Sequence, residues 1–287
     1  MDRVVIAFPA IERRAMTKRS FNELTYSDSF MFAAIMEDED ICREVLERTL
    51  GIPIRKVKTR AEAALFLNSD YRSVRLDVLA EEEDGSKFEV EMQTTDKHNL
   101  PKRSRVYQGQ MDLASLKPGT DFNELPKSVI IFICTYDPFG QKRYRYTFTP
   151  RCHETGSELG DETYRIFLST KGENDAEVPP ELVSFLKYVE NASYADENPT
   201  DTLIQKISAK IKALKRDRGM EVQYMLFSEM LSDERKEGRK EGRTEGQNQL
   251  LQLMDRMQDG GDGDKILLLG KDPVLLRDMY DKYHIEA

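Results

Sequence analysis

The amino-acid sequence predicts an α/β fold in which a mixed central sheet is flanked by helices and followed by a helical C-terminal region. Three observations predict it. Apolar residues have helical spacing over residues 27–50, alternate with polar residues over about 56–94, and form an unbroken run over Val129–Cys134. After Pro179-Pro180 the spacing is helical to the end of the printed sequence.

These changes of pattern predict four segments along the chain. The segments are an N-terminal extension over residues 1–19, a core over 20–178, a helical extension over 179–234, and a last segment over 235–287 that holds a Glu-Gly repeat and the C-terminal helices.

The composition is that of a folded, surface-charged protein, with 39% hydrophobic and 33% charged residues among 287. No apolar run approaches the roughly 20 residues that a membrane span needs, so we expect no membrane association. The three cysteines are far apart and form no Cys-x-x-Cys pair, which argues against disulfides and structural zinc and favours the reducing cytoplasm. A net charge of −9 argues against a nucleic-acid partner, but the basic residues are clustered, so one positive face remains compatible with the sequence.

The elements of the predicted core follow from local signals. Ser27 is a candidate cap for a helix over residues 27–50, which the acidic run Glu37–Asp40 can divide, and Asn99 and Pro101 begin a second helix that ends at Pro118-Gly119. The predicted strands cover residues 56–67, 71–81, 86–94, 129–134, 143–149 and 163–168.

The hairpin formed by the second and third strands determines which side chains meet. Apolar residues occupy even-numbered positions in both strands, so cross-strand partners must have numbers with an even sum. That requires a loop of odd length, such as a three-residue turn with Gly85 in the left-handed conformation. Asp77 then lies opposite Glu91 or Gln93, on the face away from Val78 and Val90, and the three polar side chains form one cluster.

Two carboxylates at that separation repel each other unless a cation neutralises them. Mg²⁺ prefers one or two carboxylates together with water and phosphate oxygens, and it can activate a water for attack on phosphorus. The spacing Asp-x(13)-Glu-x-Gln is loose, however, and the same residues are compatible with a solvent-facing strand that carries Asp77, Glu91 and Gln93 for solubility.

The order of motifs resembles a known family. A first helix with Asp28-x-Phe30 is followed by Arg75-Leu76-Asp77-Val78, an Asp-Gly turn, Glu89-Val90-Glu91-Met92-Gln93, a basic helix with Tyr107 and a Glu-Gly repeat. This order resembles the Rpn family of recombination-promoting nucleases of the PD-(D/E)XK superfamily, over about residues 20–250. The resemblance implies a restriction-endonuclease-like core, Mg²⁺- or Mn²⁺-dependent cleavage of DNA, and a bacterial, cytoplasmic setting.

The resemblance also implies roles for single residues. Asp77 and Glu91 would hold the metal. Asp28 would approach from the first helix as a supporting carboxylate or a metal ligand, although a first-turn position favoured by the helix dipole explains Asp28 equally well. Gln93 stands where the superfamily has a lysine that orients the attacking water. Glutamine donates and accepts hydrogen bonds but carries no charge. The positive charge of the missing lysine would therefore have to come from Lys97, Lys102 or Arg103, or from a second metal.

Basic residues near this hairpin are the candidate DNA-binding residues. Lys102, Arg103 and Arg105 stand in the first turns of a helix, where positive charge opposes the macrodipole, so a phosphate-facing role explains them better than local stability. Arg75 and Lys97 complete this set. Tyr107 is expected in the core rather than against a base.

The sequence therefore predicts a metal-dependent DNA endonuclease with catalytic residues Asp77, Glu91 and Gln93, associated with recombination or mobile elements. The alternative is a catalytically weak or inactive nuclease fold that binds DNA or protein, which the missing lysine and the acidic net charge favour. The apolar stripe from Leu203 to Leu214 makes the C-terminal helices a candidate homodimer surface. The Glu-Gly repeat at residues 237–246 is compatible with a weak helix, a tether or a close-packing stripe.

Overall fold

The computed structural model describes residues 19–65, 74–116 and 118–285. The chain divides into two compact units, one formed by Arg19–Glu221 and one that includes the residues from Val222 onward. The sheet lies in the first unit, and the described elements of the second are helices. The four-segment division remains a prediction.

A six-stranded mixed sheet forms the centre of the first unit, as the sequence predicts. The strands are β1 (Val57–Leu65), β2 (Val74–Glu82), β3 (Lys87–Gln93), β4 (Ser128–Cys134), β5 (Arg145–Phe148) and β6 (Thr163–Ser169). Their spatial order is β1-β2-β3-β4-β6-β5. The pairs β3–β4 and β4–β6 are parallel, and the other three pairs are antiparallel.

The β2–β3 hairpin has the predicted register. Val78 pairs with Val90 and Ala80 with Phe88, so partner numbers add to an even value. The backbone N–H of Glu82 donates to the carbonyl of Ser86 at 2.9 Å, which leaves a three-residue turn ending at Gly85. Gly85 has φ of 87°, a conformation that glycine adopts without the strain of a Cβ.

The predicted helix over residues 27–50 is divided into helix α1 (Ser29–Met36) and helix α2 (Glu39–Leu50), and the break falls within the acidic run, where the sequence allowed it. Ser27 does not cap the first helix, because the N-cap position belongs to Asp28. The side chain of Asp38 accepts a hydrogen bond from the backbone of Ile41 and caps α2. Both helices contact β1.

Helix α3 (Leu100–Ser115) connects the parallel strands β3 and β4, which no short turn can join. The helix covers one face of the sheet, where its apolar residues pack against apolar side chains of β4, β5 and β6. The buried members of this cluster are Leu100, Tyr107, Met111, Ile130, Phe132, Cys134, Tyr146 and Phe167. The face that holds Glu91 and Gln93 is the same face, since Glu91 pairs with Phe132 and Gln93 with Cys134.

The C-terminal part of the first unit is made of α4 (Pro180–Glu190), α5 (Tyr194–Glu197) and α6 (Thr202–Leu214). The apolar stripe of α6 is buried within the chain, with Leu203, Ile204 and Ile207 fully inaccessible. An ion pair from Arg48 of α2 to Asp201, the N-cap of α6, accompanies this packing. The stripe predicted as a homodimer surface therefore packs against the chain's own helices, because α6 contacts α1 and α2.

Helix α7 (Arg218–Asp259) includes the Glu-Gly repeat, so the repeat is helical. A Cβ added at Gly238, Gly242 or Gly246 would meet no atom within 4 Å, so these glycines do not serve close packing within the chain. The end of α7 packs with α8 (Pro273–Lys282) around Leu253 and Met257. No helix in the described ranges is both long enough and apolar enough to cross a membrane.

Candidate functional site

Asp77 and Glu91 lie on neighbouring strands in the middle of the face covered by α3. The hairpin register, continued by one residue, brings Asp77 opposite Glu91. The backbone N–H of Met92 donates to Asp77 Oδ2 at 3.2 Å, which ties the carboxylate to the strand that carries Glu91. Asp77 is partly exposed and Glu91 is fully buried, so the pair runs from the surface into the interior. A solvent-facing strand does not describe this arrangement.

Arg103 of α3 reaches across to the third strand. Its Nη2 pairs with Glu91 Oε2, and its Nη1 donates to Gln93 Oε1 at 3.0 Å. The amide Nε2 of Gln93 donates to the same Glu91 oxygen at 3.0 Å. Of the three basic residues considered as a source of the missing positive charge, Arg103 is therefore the one that touches both Glu91 and Gln93.

Tyr107 holds Arg103 in place from one helical turn away. Arg103 Nε donates to the Tyr107 hydroxyl at 2.7 Å, and the guanidinium lies over the rings of Tyr107 and Phe132 at 5.1 and 5.5 Å. Tyr107 is buried and its ring stacks on Phe132. It is thus a core residue, as expected, whose hydroxyl also belongs to the site.

Glu89 is a third carboxyl group on the same face, two residues before Glu91. It is fully buried, and neither of its oxygens has a hydrogen-bond partner among the described residues; the same holds for Glu91 Oε1. Two ionised carboxylates cannot donate to each other, so this arrangement needs a proton or a metal cation between them.

Burial is the main reason that the pKa values of Glu89 and Glu91 are raised. Burial, and then the charge of Asp77, raises the pKa of Glu91 to about 7, although Arg103 acts in the opposite direction. Burial, and then the charge of Glu91, raises the pKa of Glu89 well above its ordinary value. Burial thus favours the protonated form of Glu89 and brings Glu91 close to the change between its charged and neutral forms near pH 7.

The donor set fits a hard divalent cation. Asp77 and Glu91 offer adjacent carboxylates, and one oxygen of Glu91 has no partner among the described residues. Mg²⁺ uses one or two carboxylates and keeps several waters, so it needs no closed protein cage. The described residues contain no group of three or more His, Cys, Asp and Glu side chains in metal-binding arrangement.

Asp28, the third predicted metal ligand, makes hydrogen bonds and an ion pair with residues that precede its own helix. Its carboxylate pairs with Arg19 at 3.0 Å and accepts the backbone N–H of Thr25 at 2.7 Å. These contacts tie it to the segment before α1, and its role as a ligand remains a prediction.

The predicted DNA-binding residues fall into two groups. Lys97, Lys102 and Arg105 are exposed, and Lys102 and Arg105 share the solvent side of α3. Arg103 instead faces the carboxylates. The side chain of Arg75 lies outside the described part of the chain.

Two surface cavities lie elsewhere. One of about 740 Å³ is lined by residues of α8, and one of about 560 Å³ by residues of α2, α4 and their neighbours. Neither is lined by Asp77 or Glu91. We place the candidate site at the carboxylates because Asp77, Glu89, Glu91 and Arg103 converge there, and Arg103 pairs with Glu91 in this conformation.

The fold and the site together define the class of protein. A mixed sheet flanked by helices, with an aspartate on one strand and Glu-x-Gln on the next, is consistent with a PD-(D/E)XK nuclease. A family model described as "PD-(D/E)XK nuclease family transposase" matches residues 28–240, and the chain belongs to this family. The resemblance noted from the motifs is thereby confirmed. Neither the curated proteins nor the solved structures gave a match.

Sequence reasoning missed Glu89 and the second role of Tyr107. The alternation in β3 already places Glu89 on the face of Glu91, so the residue was identifiable as a neighbour. Its burial was not, because a period of two assigns a side chain to a face but does not tell what covers that face.

Replacing Glu89 with glutamine is expected to raise the free energy of unfolding of the metal-free protein by on the order of 1–2 kcal/mol at pH 8. The amide removes a buried acid that has no partner among the described residues, and it can donate a hydrogen bond to Glu91. An acid whose pKa is raised by folding contributes full stability below its ordinary pKa, and that contribution is lost as the pH rises towards the folded value. The gain should therefore grow from pH 5 to pH 8 in urea unfolding with EDTA. Glu81→Gln, at an exposed position of β2, is the control; an equal gain there, or none at Glu89, contradicts the assignment.

Proposed function

We propose that the chain is a magnesium-dependent DNA endonuclease that hydrolyses phosphodiester bonds at Asp77 and Glu91. The observation that carries this proposal is the hairpin register, which sets a partly exposed carboxylate beside a buried one that retains an oxygen without a partner among the described residues. Membership of a nuclease family makes DNA the expected substrate, and nucleases with this core generally use divalent metals.

Each side chain of the site has a separate role in the proposed reaction. Asp77 and Glu91 would bind Mg²⁺, or Mn²⁺ in its place. When bound, the cation polarises the phosphodiester and lowers the pKa of a water. Gln93, which donates to Glu91 and accepts from Arg103, is positioned to orient that water. Arg103 supplies the positive charge that glutamine lacks and suits a phosphate that gains charge during the reaction.

Asp28 has a supporting place in this proposal. Serving as a ligand requires Asp28 to exchange its contact with Arg19 for the cation, so we assign it to support of the site rather than to the reaction itself.

The physiological role that we propose is DNA cleavage that promotes recombination or accompanies a mobile element, in the bacterial cytoplasm. The family description as a transposase supports it.

A second candidate is a nuclease fold that binds DNA or protein without cleaving. The observation that favours it is the absence of the lysine, with Gln93 at its place and Arg103 already paired to Glu91. This candidate predicts retention of DNA in EDTA and no nicking of plasmid with any divalent cation.

Asp77→Ala and Glu91→Gln are expected to reduce Mg²⁺-dependent nicking of supercoiled plasmid by on the order of 10²-fold or more, because each removes a cation ligand. Glu83→Gln, at an exposed position in the hairpin turn, removes the same charge and should cleave like the unmodified chain. Full cleavage by either site variant would refute this site. No cleavage by the unmodified chain in Mg²⁺ or Mn²⁺ would favour the binding module.

Neutralising the exposed cations Lys97, Lys102 and Arg105 with glutamine is expected to weaken DNA binding and its dependence on salt. Each lost phosphate contact lowers the slope of log K against log salt by about 0.9. Fluorescence anisotropy in the Asp77→Asn background measures binding without cleavage. The matched control replaces Lys142, Lys171 and Lys187, which are paired with acidic neighbours. An equal change of slope in both triple variants contradicts a DNA-facing α3.

We also propose that two copies associate through α7, since a two-fold pair suits cleavage of both DNA strands. The stripe of α6 is buried and cannot form the contact between two copies. Helix α7, in contrast, exposes Val222, Met225, Leu226 and Met230. Light scattering is expected to give twice the chain mass, and Leu226→Glu with Met230→Glu to give the monomer. A monomeric unmodified chain contradicts this part of the proposal.

A further inference from the structure

Arg103 occupies the position in which a cation neutralises Glu91. Its guanidinium pairs with Glu91 Oε2, while Asp77 lies across the hairpin and Glu89 lies two residues away on the same face. No other ion pair of Glu91 is present among the described residues. Since an unpaired buried carboxylate is costly, Arg103 acts as the counter-ion of this group when no metal is bound.

A divalent cation on Asp77 and Glu91 would compete with Arg103 for the same carboxylate. The guanidinium and a divalent ion cannot both stay on Glu91 without strong repulsion, because they carry like charges within a few ångströms. Binding of the metal therefore favours movement of the guanidinium away from Glu91.

The contacts of Arg103 allow such a movement without loss of its attachment. Nε donates to the hydroxyl of Tyr107, and Tyr107 is fixed by burial and by stacking on Phe132. The Nη groups contact Glu91 and Gln93, and the side chain of Arg103 remains 26% exposed. The guanidinium can thus turn about Nε towards solvent, where a phosphate would accept two hydrogen bonds from it.

We propose that Arg103 exchanges Glu91 for a DNA phosphate when the divalent cation binds. The inference rests on the proposed function and adds to it a coupling between the two ligands. Without DNA, Arg103 opposes metal binding; with DNA, the phosphate takes the guanidinium and the opposition is removed. Metal and DNA consequently raise each other's affinity by the same factor.

Calorimetric titration with Mg²⁺ in the absence of DNA tests the exchange, at pH 8.5, where protons compete least. Arg103→Gln removes the competing charge and is expected to bind Mg²⁺ about 10-fold more tightly than the unmodified chain. Arg103→Lys keeps the positive charge that competes with the cation and should stay within about twofold. Equal or weaker binding by Arg103→Gln overturns the proposal, since Arg103 would then merely hold Glu91 in place.

The coupling is measured by repeating the titration with Ca²⁺ and a phosphorothioate duplex that resists cleavage. The duplex is expected to tighten Ca²⁺ binding by about 5-fold or more in the unmodified chain and by clearly less in Arg103→Gln. An undiminished coupling in the variant overturns the proposal.

A measurement on the unmodified chain covers the case in which Arg103→Gln does not fold. The ¹⁵N-detected Nε–H signal of Arg103, assigned by its loss in Arg103→Lys, should shift on addition of Mg²⁺, and an unmoved signal at saturating Mg²⁺ overturns the exchange. Failure of the proposed function has a different signature, in which the unmodified chain neither binds Mg²⁺ nor nicks plasmid.

Discussion

The pairing of β2 with β3 through the turn that ends at Gly85 is the constraint on which the site depends. Side chains alternate along a strand, so a shift of this pairing by one residue would turn one strand's polar residues to the opposite face. The three-residue turn fixes the register, and the left-handed Gly85 permits that turn. Asp77 and Glu91 then share a face as a result of backbone geometry.

Burial changes what this pair of carboxylates can do. Because α3 must connect two parallel strands, it crosses the face that carries Glu89 and Glu91 and excludes water from both. Carboxylates in such surroundings need a proton or a cation, and the pKa of Glu91, raised by burial to about 7, places it near the change between these states. Arg103 from the covering helix balances the charge in this conformation. The same helix thus buries the carboxylates and supplies the positive charge that neutralises one of them.

The sequence predicted the features that depend on local period and turn chemistry. The sheet class, the hairpin register and the start of α3 at Asn99 and Pro101 are of this kind. Features that depend on what packs against a face were not predictable in this way: the burial of Glu89, the contact of Arg103 with Glu91 across the crossover, and the packing of the α6 stripe within the chain. The stripe indicated that α6 needs a partner but could not distinguish a neighbouring helix from a second copy. The sequence indicated a possible break between α1 and α2 within the acidic run, but it did not identify Asp38 as the residue that caps α2.

Crystals soaked in Mn²⁺ and measured at the manganese absorption edge test the central claim most directly, because they locate the cation without reference to activity. The account predicts an anomalous peak at roughly 2.0–2.3 Å from carboxylate oxygens of Asp77 and Glu91, with the guanidinium of Arg103 displaced from Glu91. A well-occupied peak elsewhere, with Arg103 still on Glu91 at saturating Mn²⁺, would contradict it.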